Sequence, residues 1–217
     1  MKNLGVIFDL DGVIVDTAKY HFIAWQETAR QLGYDFTEQD NEQLKGVSRV
    51  RSLELILDLA GKQISQEEKD VLLVAKNDHY LKLISKMGQE EILPGISTLL
   101  HYLKDNGIPF SLGSASKNAK LILRSLDLLD LFDAIVDGND VSNAKPDPEV
   151  FLVAAKALNM KPENCIVVED AIAGVEAANA AGMISIGIGD AEHLAHANYV
   201  LSNTGELSVE FFENLIK

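Results

Sequence analysis

Two carboxylates lie one residue apart near the start of the chain, in the stretch FDLDGVIVDT (8–17). Asp9 and Asp11 follow an apolar run, and Gly12 comes next. Asp before Gly is common turn chemistry, because Asp bonds to nearby backbone and Gly accepts a positive φ. Side chains two residues apart in a strand point to the same face, however, so the pair can also act together on one reacting group.

Polar residues follow three later strand-like runs in the same way: Ser114 and its successors to Asn118, then Lys145, then Glu169 with Asp170. In open α/β sheets, ligands bind beyond the carboxyl ends of the strands. Taken singly, these residues have ordinary interpretations as a strand-end cap, a solvated lysine and a turn. Their occurrence in this order, each after a strand, indicates a reaction centre instead.

The four carboxylates of this set would repel one another strongly at one sheet edge unless a cation lay among them. Hard oxygen ligands and an anionic substrate suit Mg²⁺. Lys145 precedes Pro146 and is therefore held extended, where it can neutralise a phosphoryl group or an Asp. The sequence thus predicts a magnesium-dependent centre that handles phosphate.

The elements that must position these residues alternate between strands and helices. Short runs rich in β-branched and aromatic residues predict strands at 4–10, 108–114, 134–138, 165–170 and 185–189. Between them lie helical patterns, one of which ends at Gly107 and another of which begins with Asp147 as N-cap and Pro148 at the first helical position. Such alternation predicts a Rossmann-like α/β core, a parallel sheet with helices on both faces.

Residues 17–87 interrupt this alternation, because they show helical patterns and no strand signal. Ser48 can cap a helix that ends at Gly61, and Ser65 with Glu68 forms a capping-box pattern at the start of the next helix. We predict a catalytic core of residues 1–16 and 88–217. Residues 17–87 are predicted to form an all-helical domain inserted after the first strand, called here the helical insertion.

The composition favours a soluble globular protein, with 217 residues of which 47% are hydrophobic and 24% charged. The formal net charge of −14 disfavours nucleic-acid and anionic-membrane partners, and no apolar run approaches the roughly 20 residues that span a bilayer. Residues 1–10 carry no apolar signal core, so we expect a cytoplasmic protein, and we expect a monomer. Cys165 is the only cysteine and lies in an apolar run, which indicates a buried structural thiol.

Four motifs resemble those of the haloacid dehalogenase superfamily of phosphotransferases: DLDGV (9–13), SAS (114–116), KPDP (145–148) and VVEDAIAG (167–174). The resemblance spans nearly the whole chain. Within the superfamily, the sequence most resembles the β-phosphoglucomutase family, through DTAKYHFIAW (16–25), LKGVSR (44–49) and SASKN (114–118). The helical insertion resembles that family's cap, which closes over the site and selects the acceptor.

The resemblance implies that Asp9 is the nucleophile, which takes a phosphoryl group as an aspartyl phosphate, and that Asp11 is the general acid and base. Charge neutralisation would come from Mg²⁺, Lys145 and the Ser114 hydroxyl with nearby backbone N–H groups. The implied metal ligands are Asp9, the backbone carbonyl of Asp11, and Glu169 or Asp170.

The same resemblance implies a second phosphate site in the helical insertion, formed by Gly46, Val47, Ser48 and Arg49. These residues stand at a predicted helix start, where free N–H groups and the helix dipole favour an anion and Arg49 adds a forked donor. Without the resemblance, they would be interpreted as an ordinary N-cap beside a surface arginine.

His21 and Trp25 are four residues apart, and such a pair on one helix face usually packs in a core. The resemblance instead implies that Thr17, His21 and Lys76 surround Asp11 as a network that couples closure of the cap to acid–base alignment. The substrate-binding residues that it implies in addition are Trp25, Ser52, Ala115, Ser116, Lys117 and Asn118.

The implied activity is that of an intramolecular phosphotransferase, a phosphomutase that interconverts β-D-glucose 1-phosphate and D-glucose 6-phosphate. The phosphoryl group would pass through phosphorylated Asp9 and β-glucose 1,6-bisphosphate, which would also prime the enzyme. The alternative enzyme is a sugar-phosphate phosphatase with the same nucleophile and water as the acceptor. A two-component receiver domain uses similar residues with Mg²⁺, but its phosphorylated Asp lies on a later strand and it has no helical insertion.

Overall fold

Within the residues that the structure describes, the centre of the protein is a parallel β-sheet of six strands. In chain order the strands are β1 (Gly5–Phe8), β2 (Phe110–Gly113), β3 (Ala134–Val136), β4 (Cys165–Glu169), β5 (Ile184–Ile188) and β6 (Tyr199–Leu201). Across the sheet their order is β3–β2–β1–β4–β5–β6. The computed structural model describes residues 4–216, so residues 1–3 and 217 of the predicted core lie outside the described residues.

The segment 17–87, which follows β1, contains four α-helices: α1 (Ala18–Gln31), α2 (Glu38–Glu42), α3 (Arg49–Leu59) and α4 (Gln66–Ile84). The predicted caps are present, because the Ser48 hydroxyl accepts a hydrogen bond from the N–H of Arg51, and Ser65 and Glu68 form a capping box. Part of this segment has a hydrophobic cluster of its own, which includes Trp25. The division of the chain into two domains stays a prediction.

The remaining helices cover the two faces of the sheet. They are α5 (Ile96–Asp105), α6 (Ala119–Ser125), α7 (Glu149–Ala157), α8 (Ile172–Ala180) and α9 (Val209–Ile216). Val6 and Phe8 belong to the hydrophobic cluster that α5, α6 and α9 share, whereas Ile7 belongs to the cluster shared by α7 and α8. Cys165 is fully buried in the second cluster, as expected for a structural thiol. Within residues 4–216, no helix combines the length and the apolar character needed to cross a bilayer.

Two local features differ from the sequence expectation. Strand β6 was not predicted, because it has only three residues and its side chains are exposed or half-buried, so it lacks the apolar run of a central strand. Helix α7 begins one residue later than predicted, with Pro148 rather than Asp147 in the N-cap position. The Asp147 carboxylate still accepts a hydrogen bond from the N–H of Glu149, at 2.9 Å.

Candidate active site

The carboxyl ends of β1, β2 and β4 lie side by side at one edge of the sheet. Phe8, the last residue of β1, pairs with Leu112 of β2 and Val168 of β4. Asp9 directly follows Phe8 and is therefore level with Glu169, the last residue of β4. The N–H of Asp9 donates to the carbonyl of Val168 at 2.9 Å. The sheet register thus brings together carboxylates that are 160 positions apart in the printed sequence.

Lys145 reaches this edge from the loop between β3 and α7 and forms two buried ion pairs. Its Nζ lies 2.6 Å from Oδ1 of Asp9 and 2.6 Å from Oε1 of Glu169. The side chains of Lys145 and Glu169 are fully buried. Burial by itself would lower the pKa of Lys145, but the two carboxylates raise that pKa above its ordinary value. Lys145 is therefore a charged, buried residue and not a solvated surface lysine.

Three carboxylates at this edge form a group that could hold a metal ion. Oxygens of Asp9, Glu169 and Asp170 lie within 4.8 Å of one another. Lys145 supplies one positive charge to three carboxylates, so negative charge is in excess. Burial raises the pKa of Asp9 to about 6, although the charge of Lys145 acts to lower it. Burial and the charge of Glu169 raise the pKa of Asp170 well above its usual range. A hard divalent cation would offset this excess, and this donor set fits Mg²⁺.

Two glycines allow the backbone to approach these carboxylates closely. A Cβ at Gly174, in α8, would overlap the carboxylate of Glu169, and a Cβ at Gly12 would overlap that of Asp170. The φ of Gly12 is +77°, in the left-handed region that favours glycine. On its other side, Glu169 accepts a hydrogen bond from the N–H of Ala171 at 2.7 Å. The orientation of the Glu169 carboxylate is therefore fixed by backbone contacts.

Asp11 is half-buried, and its carboxylate lies outside the three-carboxylate group. Burial, and then the charge of Asp9, raise the pKa of Asp11 to about 8. The hydroxyl of Thr17 donates a hydrogen bond to Oδ1 of Asp11. Lys76 acts on Asp11 through its charge, whereas His21 contacts Lys76 and makes no hydrogen bond to Asp11 among the described side chains.

Lys76 of α4, which is buried, and His21 of α1, which is half-buried, form a polar pair with 2.8 Å between Nζ and Nδ1. The Lys76 Nζ also lies 4.5 Å from the ring centroid of Trp25 and 4.9 Å from that of Tyr80, and His21 stacks on Tyr80 with 4.1 Å between centroids. Burial and the charge of Arg49 lower the pKa of Lys76 to about 7. Burial and the charge of Lys76 lower the pKa of His21 well below its usual range, so a neutral His21 accepts the hydrogen bond.

The start of α3 faces the site from the helical insertion. Arg49 is half-buried and has no ion-pair partner within residues 4–215. A Cβ at Gly46, whose φ is +72°, would meet the Cβ of Ala171 at 2.7 Å, so this turn packs closely on the core. The hydroxyl of Ser52 donates to the carbonyl of Ser48 at 3.1 Å. Arg49 is therefore the free charged group of this segment, available to an anion.

The loop 114–118 after β2 is folded by its own hydroxyls. Ser114 is buried, and its Oγ accepts a hydrogen bond from the N–H of Ser116 at 3.1 Å. The Oγ of Ser116 accepts one from the N–H of Asn118 at 3.3 Å. The side chain of Asn118 donates in turn to Oδ1 of Asn77, in α4, at 2.9 Å. Lys117 is exposed at the tip of the loop.

One cavity of about 490 Å³ lies between the sheet edge and the helical insertion, a size typical of small-molecule sites. All the predicted site residues line it except Thr17 and Glu169, which are buried behind its wall. The charged residues of the lining are Lys45, Arg49, Lys76, Lys117 and Lys145 against Asp9, Asp11 and Asp170. Because cations outnumber carboxylates in this lining, although the chain has a net charge of −14, the cavity suits an anionic ligand.

Three residues near the site were not singled out by the sequence motifs: Lys45, Asn77 and Tyr80. Lys45 lies within the quoted stretch LKGVSR (44–49) but was given no role there, and Asn77 directly follows Lys76 and lies in none of the quoted motifs. Tyr80 lies four residues after Lys76, and this spacing on one helix face was the available signal.

Three features lie together at the cavity. Asp9 is a buried carboxylate held by Lys145, and Asp11 beside it has a raised pKa. The three-carboxylate group fits Mg²⁺, and the cavity lining is rich in cations. At the carboxyl edge of a parallel sheet, this combination defines an α/β enzyme that transfers phosphate.

Comparisons with known proteins agree with this class. A family model described as haloacid dehalogenase-like hydrolase matches residues 4–182. The chain is 46% identical over 207 residues to a β-phosphoglucomutase of Bacillus subtilis (strain 168). The matched region covers 94% of this chain and 92% of that protein. It is 34% identical over 183 residues to a phosphorylated carbohydrates phosphatase of Thermotoga maritima, covering 82% of this chain and 81% of that protein.

Among solved structures, a β-phosphoglucomutase from Clostridium difficile matches with a TM-score of 0.93 and 45% identity, covering 98% of this chain and 99% of that chain. The protein therefore belongs to the haloacid dehalogenase-like hydrolase family. The resemblance seen in the sequence and the Rossmann-like fold with helices on both faces of a parallel sheet are confirmed.

Proposed function

We propose that this protein acts as a β-phosphoglucomutase, an intramolecular phosphotransferase that interconverts β-D-glucose 1-phosphate and D-glucose 6-phosphate. The observation that carries the proposal is a cavity that receives cationic side chains both from the sheet edge and from the helical insertion. Lys145 lies beside Asp9 at the sheet edge, and Arg49 with Lys45 lies on the helical insertion. A sugar with a phosphate at each end can bind there in either direction. Similarity to the B. subtilis and C. difficile mutases supports this choice of substrate.

Asp9 is the nucleophile in this proposal. Lys145 fixes its carboxylate at 2.6 Å and keeps its own charge, so it can also neutralise an arriving phosphoryl group. The Ser114 hydroxyl accepts from Ser116 and retains its proton for a phosphoryl oxygen. Mg²⁺, held by the three-carboxylate group and the backbone carbonyl of Asp11, supplies further positive charge when bound.

Asp11 exchanges a proton with the sugar. Burial raises the pKa of Asp11 to about 8, so at neutral pH it holds the proton that a leaving sugar oxygen needs. After giving up this proton, it is a carboxylate that can take one from the attacking hydroxyl. The Thr17 hydroxyl engages one carboxyl oxygen and leaves the other for the substrate.

The helical insertion acts as a cap in this proposal, closing over the core of residues 1–16 and 88–217. Arg49 and the residues before it, Gly46, Val47 and Ser48, bind the phosphate that is not reacting. The polar pair of Lys76 and His21 couples closure to the position of Asp11. Turnover passes through β-glucose 1,6-bisphosphate, which turns round between two transfers and also primes Asp9.

The alternative is a sugar-phosphate phosphatase, which the similarity to the T. maritima phosphatase favours. Incubation with β-glucose 1-phosphate, Mg²⁺ and a trace of the bisphosphate separates the two activities. A mutase forms glucose 6-phosphate and little free phosphate, whereas a phosphatase forms inorganic phosphate in proportion to the substrate consumed. The Asp9→Asn variant is the control that should form neither product.

The proposal includes a monomeric enzyme, as expected from the sequence. Light scattering at the concentration of the assay tests it. The cytoplasmic location stays a prediction from the sequence.

A further inference from the structure

Asn41 of α2 is a buried residue in the wall of the cavity. Only 8% of its surface is exposed, and it lines the cavity from the helical insertion. Its backbone groups are paired, because its N–H donates to the carbonyl of Thr37 at 3.1 Å and its carbonyl accepts from the N–H of Leu44 at 3.0 Å. Its carboxamide, in contrast, makes no hydrogen bond to any group of residues 4–215.

The carboxamide of Asn41 is nevertheless not sealed inside the protein. Within the described part of the chain, the side-chain atoms that are closed to solvent and lack a partner belong to Tyr80, Ser111 and Asp137. The amide atoms of Asn41 are not among them, so solvent reaches them, and the cavity is the space that this buried residue lines. Because buried polar groups are almost always hydrogen-bonded, a ligand in the cavity is the natural partner of this amide.

The other neutral polar side chains on the same wall already have partners. Within residues 4–215, the neutral polar side chains that line the cavity from the helical insertion are His21, Asn41, Ser48, Ser52 and Asn77. All of them except Asn41 take part in a hydrogen bond with another residue. Asn41 therefore keeps two N–H donors and an acceptor oxygen for a ligand.

The turn that carries Asn41 is held by its own hydrogen bonds. Thr37 and Asp40 form a capping box at the start of α2, and the hydroxyl of Tyr34 donates to the carboxylate of Asp40 at 3.2 Å. Asn41 directly follows Asp40. A side chain on such a fixed backbone can recognise one particular atom of a ligand.

The charge of the Asn41 side chain indicates which part of a sugar phosphate it meets. The cations Lys45, Arg49 and Lys76 on the same wall suit a phosphate, whereas a carboxamide is neutral. A carboxamide both donates and accepts, as does a sugar hydroxyl. We propose that Asn41 is a specificity-determining residue that forms a hydrogen bond with one ring hydroxyl of the bound sugar. This inference rests on the proposed function, because it concerns the sugar that lies between the two phosphate sites.

Three variants separate recognition of the sugar from a structural role. Asn41→Leu has a similar volume but no hydrogen-bonding group, and Asn41→Ala removes most of the side chain. Because the carboxamide has no partner among the described residues, Asn41→Leu should keep the unfolding midpoint of the wild type or raise it. Gln43→Ala is the matched control, since it removes an exposed amide of the same segment that does not line the cavity.

The measurement is kcat/KM for β-glucose 1-phosphate and for its 2-deoxy, 3-deoxy and 4-deoxy analogues, each followed as loss of the substrate. Loss of substrate counts transfer to sugar and transfer to water alike. The decisive quantity is the ratio of kcat/KM for β-glucose 1-phosphate to that for each analogue. This ratio is taken within one enzyme preparation, so it does not change if part of a variant is unfolded.

We expect Asn41→Leu and Asn41→Ala to lower kcat/KM for β-glucose 1-phosphate by roughly 3- to 20-fold, the scale of one buried neutral hydrogen bond. One of the three analogues should be a poorer substrate for the wild type by a similar factor, and this penalty should vanish in both variants. The other two penalties should stay as they are, and Gln43→Ala should behave as the wild type does.

Wild-type kcat/KM in Asn41→Leu, or three penalties that the substitution leaves unchanged, would overturn the role of Asn41. Release of inorganic phosphate in proportion to the substrate consumed would contradict the mutase alone, because the same ratios still decide whether Asn41 reads a hydroxyl. A wild-type enzyme that consumes no β-glucose 1-phosphate would overturn both the proposed function and this inference.

Discussion

The ammonium group of Lys145 lies 2.6 Å from the carboxylate of Asp9, with both side chains buried. Glu169 lies at the same distance on another side of this ammonium group. One cation therefore lies between two buried carboxylates that would otherwise repel each other. The charge of Lys145 thus fixes the carboxylate of Asp9, the proposed nucleophile.

Replacing Lys145 with Ala should leave Asp9 and Glu169 buried without a counter-charge. We expect the free energy of unfolding at pH 7, measured with urea and a chelator, to fall by about 3–5 kcal/mol. The loss should shrink at lower pH, because protonation of a carboxyl of raised pKa favours the folded state. Arg51→Ala, which removes an exposed partner of Glu54 at 3.3 Å, should cost less than about 1 kcal/mol. Equal losses from the two variants would contradict this interpretation.

The buried Lys76 should make stability depend on pH. Burial and the charge of Arg49 lower its pKa to about 7, whereas the unfolded chain keeps the proton up to about pH 10.4. Between these values the unfolded state binds more protons, so stability rises with pH. Lys76→Met should therefore be more stable than the wild type at pH 7, by roughly 1–3 kcal/mol, and the difference should narrow toward pH 10.

Urea unfolding at pH 7, 8 and 9 checks this prediction about Lys76. The control is Lys82→Met, at an exposed position of the same helix, which should show no such trend. A difference between Lys76→Met and the wild type that stays constant with pH would show that Lys76 carries no lowered pKa.

Asp11→Asn should separate proton transfer from metal binding. We expect kcat to fall by about 10² to 10⁴, the range for general acid–base catalysis. Mg²⁺ affinity by calorimetry should stay near that of the wild type, because the Asp11 carboxylate lies outside the three-carboxylate group. Asp9→Asn should instead weaken Mg²⁺ binding and leave less than about a thousandth of the activity, since it removes the nucleophile. An unchanged kcat in Asp11→Asn would refute its assigned role.

Gly174→Ala should destabilise the protein although it improves helix propensity. An Ala in an ordinary helix interior gains about 0.5–1 kcal/mol over Gly. Here the added Cβ would overlap the Glu169 carboxylate and push it away from Asp9 and Asp170. We expect a lower unfolding midpoint and weaker Mg²⁺ binding together. A more stable variant with unchanged Mg²⁺ affinity would exclude this role for Gly174.

The sheet was predictable because its five main strands are short, apolar and rich in β-branched residues, as buried parallel strands require. The caps at Ser48 and Ser65 were predictable because a cap depends on residues only three positions away. Strand β6 was not predicted, because its three residues, which are exposed or half-buried, show no hydrophobic pattern of their own.

The contacts within the site could not be predicted from local pattern. Lys145 and Asp9 are separated by 136 positions, and Asn77 and Asn118 by 41. The motifs indicated which residue types gather at the strand ends, because parallel strands end at one edge. The motifs gave no information on which oxygen contacts which nitrogen. They also gave none on the stacking of the His21 ring on the Tyr80 ring.

The central claim is that one cavity holds two phosphate sites, so that the phosphoryl group passes to a sugar rather than to water. Arg49 is half-buried in the cavity wall without an ion-pair partner among residues 4–215, and it should hold the phosphate that is not reacting. Arg49→Lys keeps the charge but loses the planar fork, and Arg49→Ala loses both. Mutase kcat/KM should therefore be lower in Arg49→Lys than in the wild type and lowest in Arg49→Ala. The loss for Arg49→Ala should correspond to about 2–4 kcal/mol of transition-state stabilisation.

The most direct test is the ratio of glucose 6-phosphate formation to phosphate release in the wild type and Arg49→Ala. Attack by water on phosphorylated Asp9 needs no second phosphate site, so phosphate release should fall much less than transfer. The account predicts that Arg49→Ala lowers this ratio by at least about tenfold, with Arg49→Lys between the two. If Arg49→Ala lowers both rates equally, or lowers neither, the segment 46–49 is not the second phosphate site, and the phosphatase alternative explains the protein better.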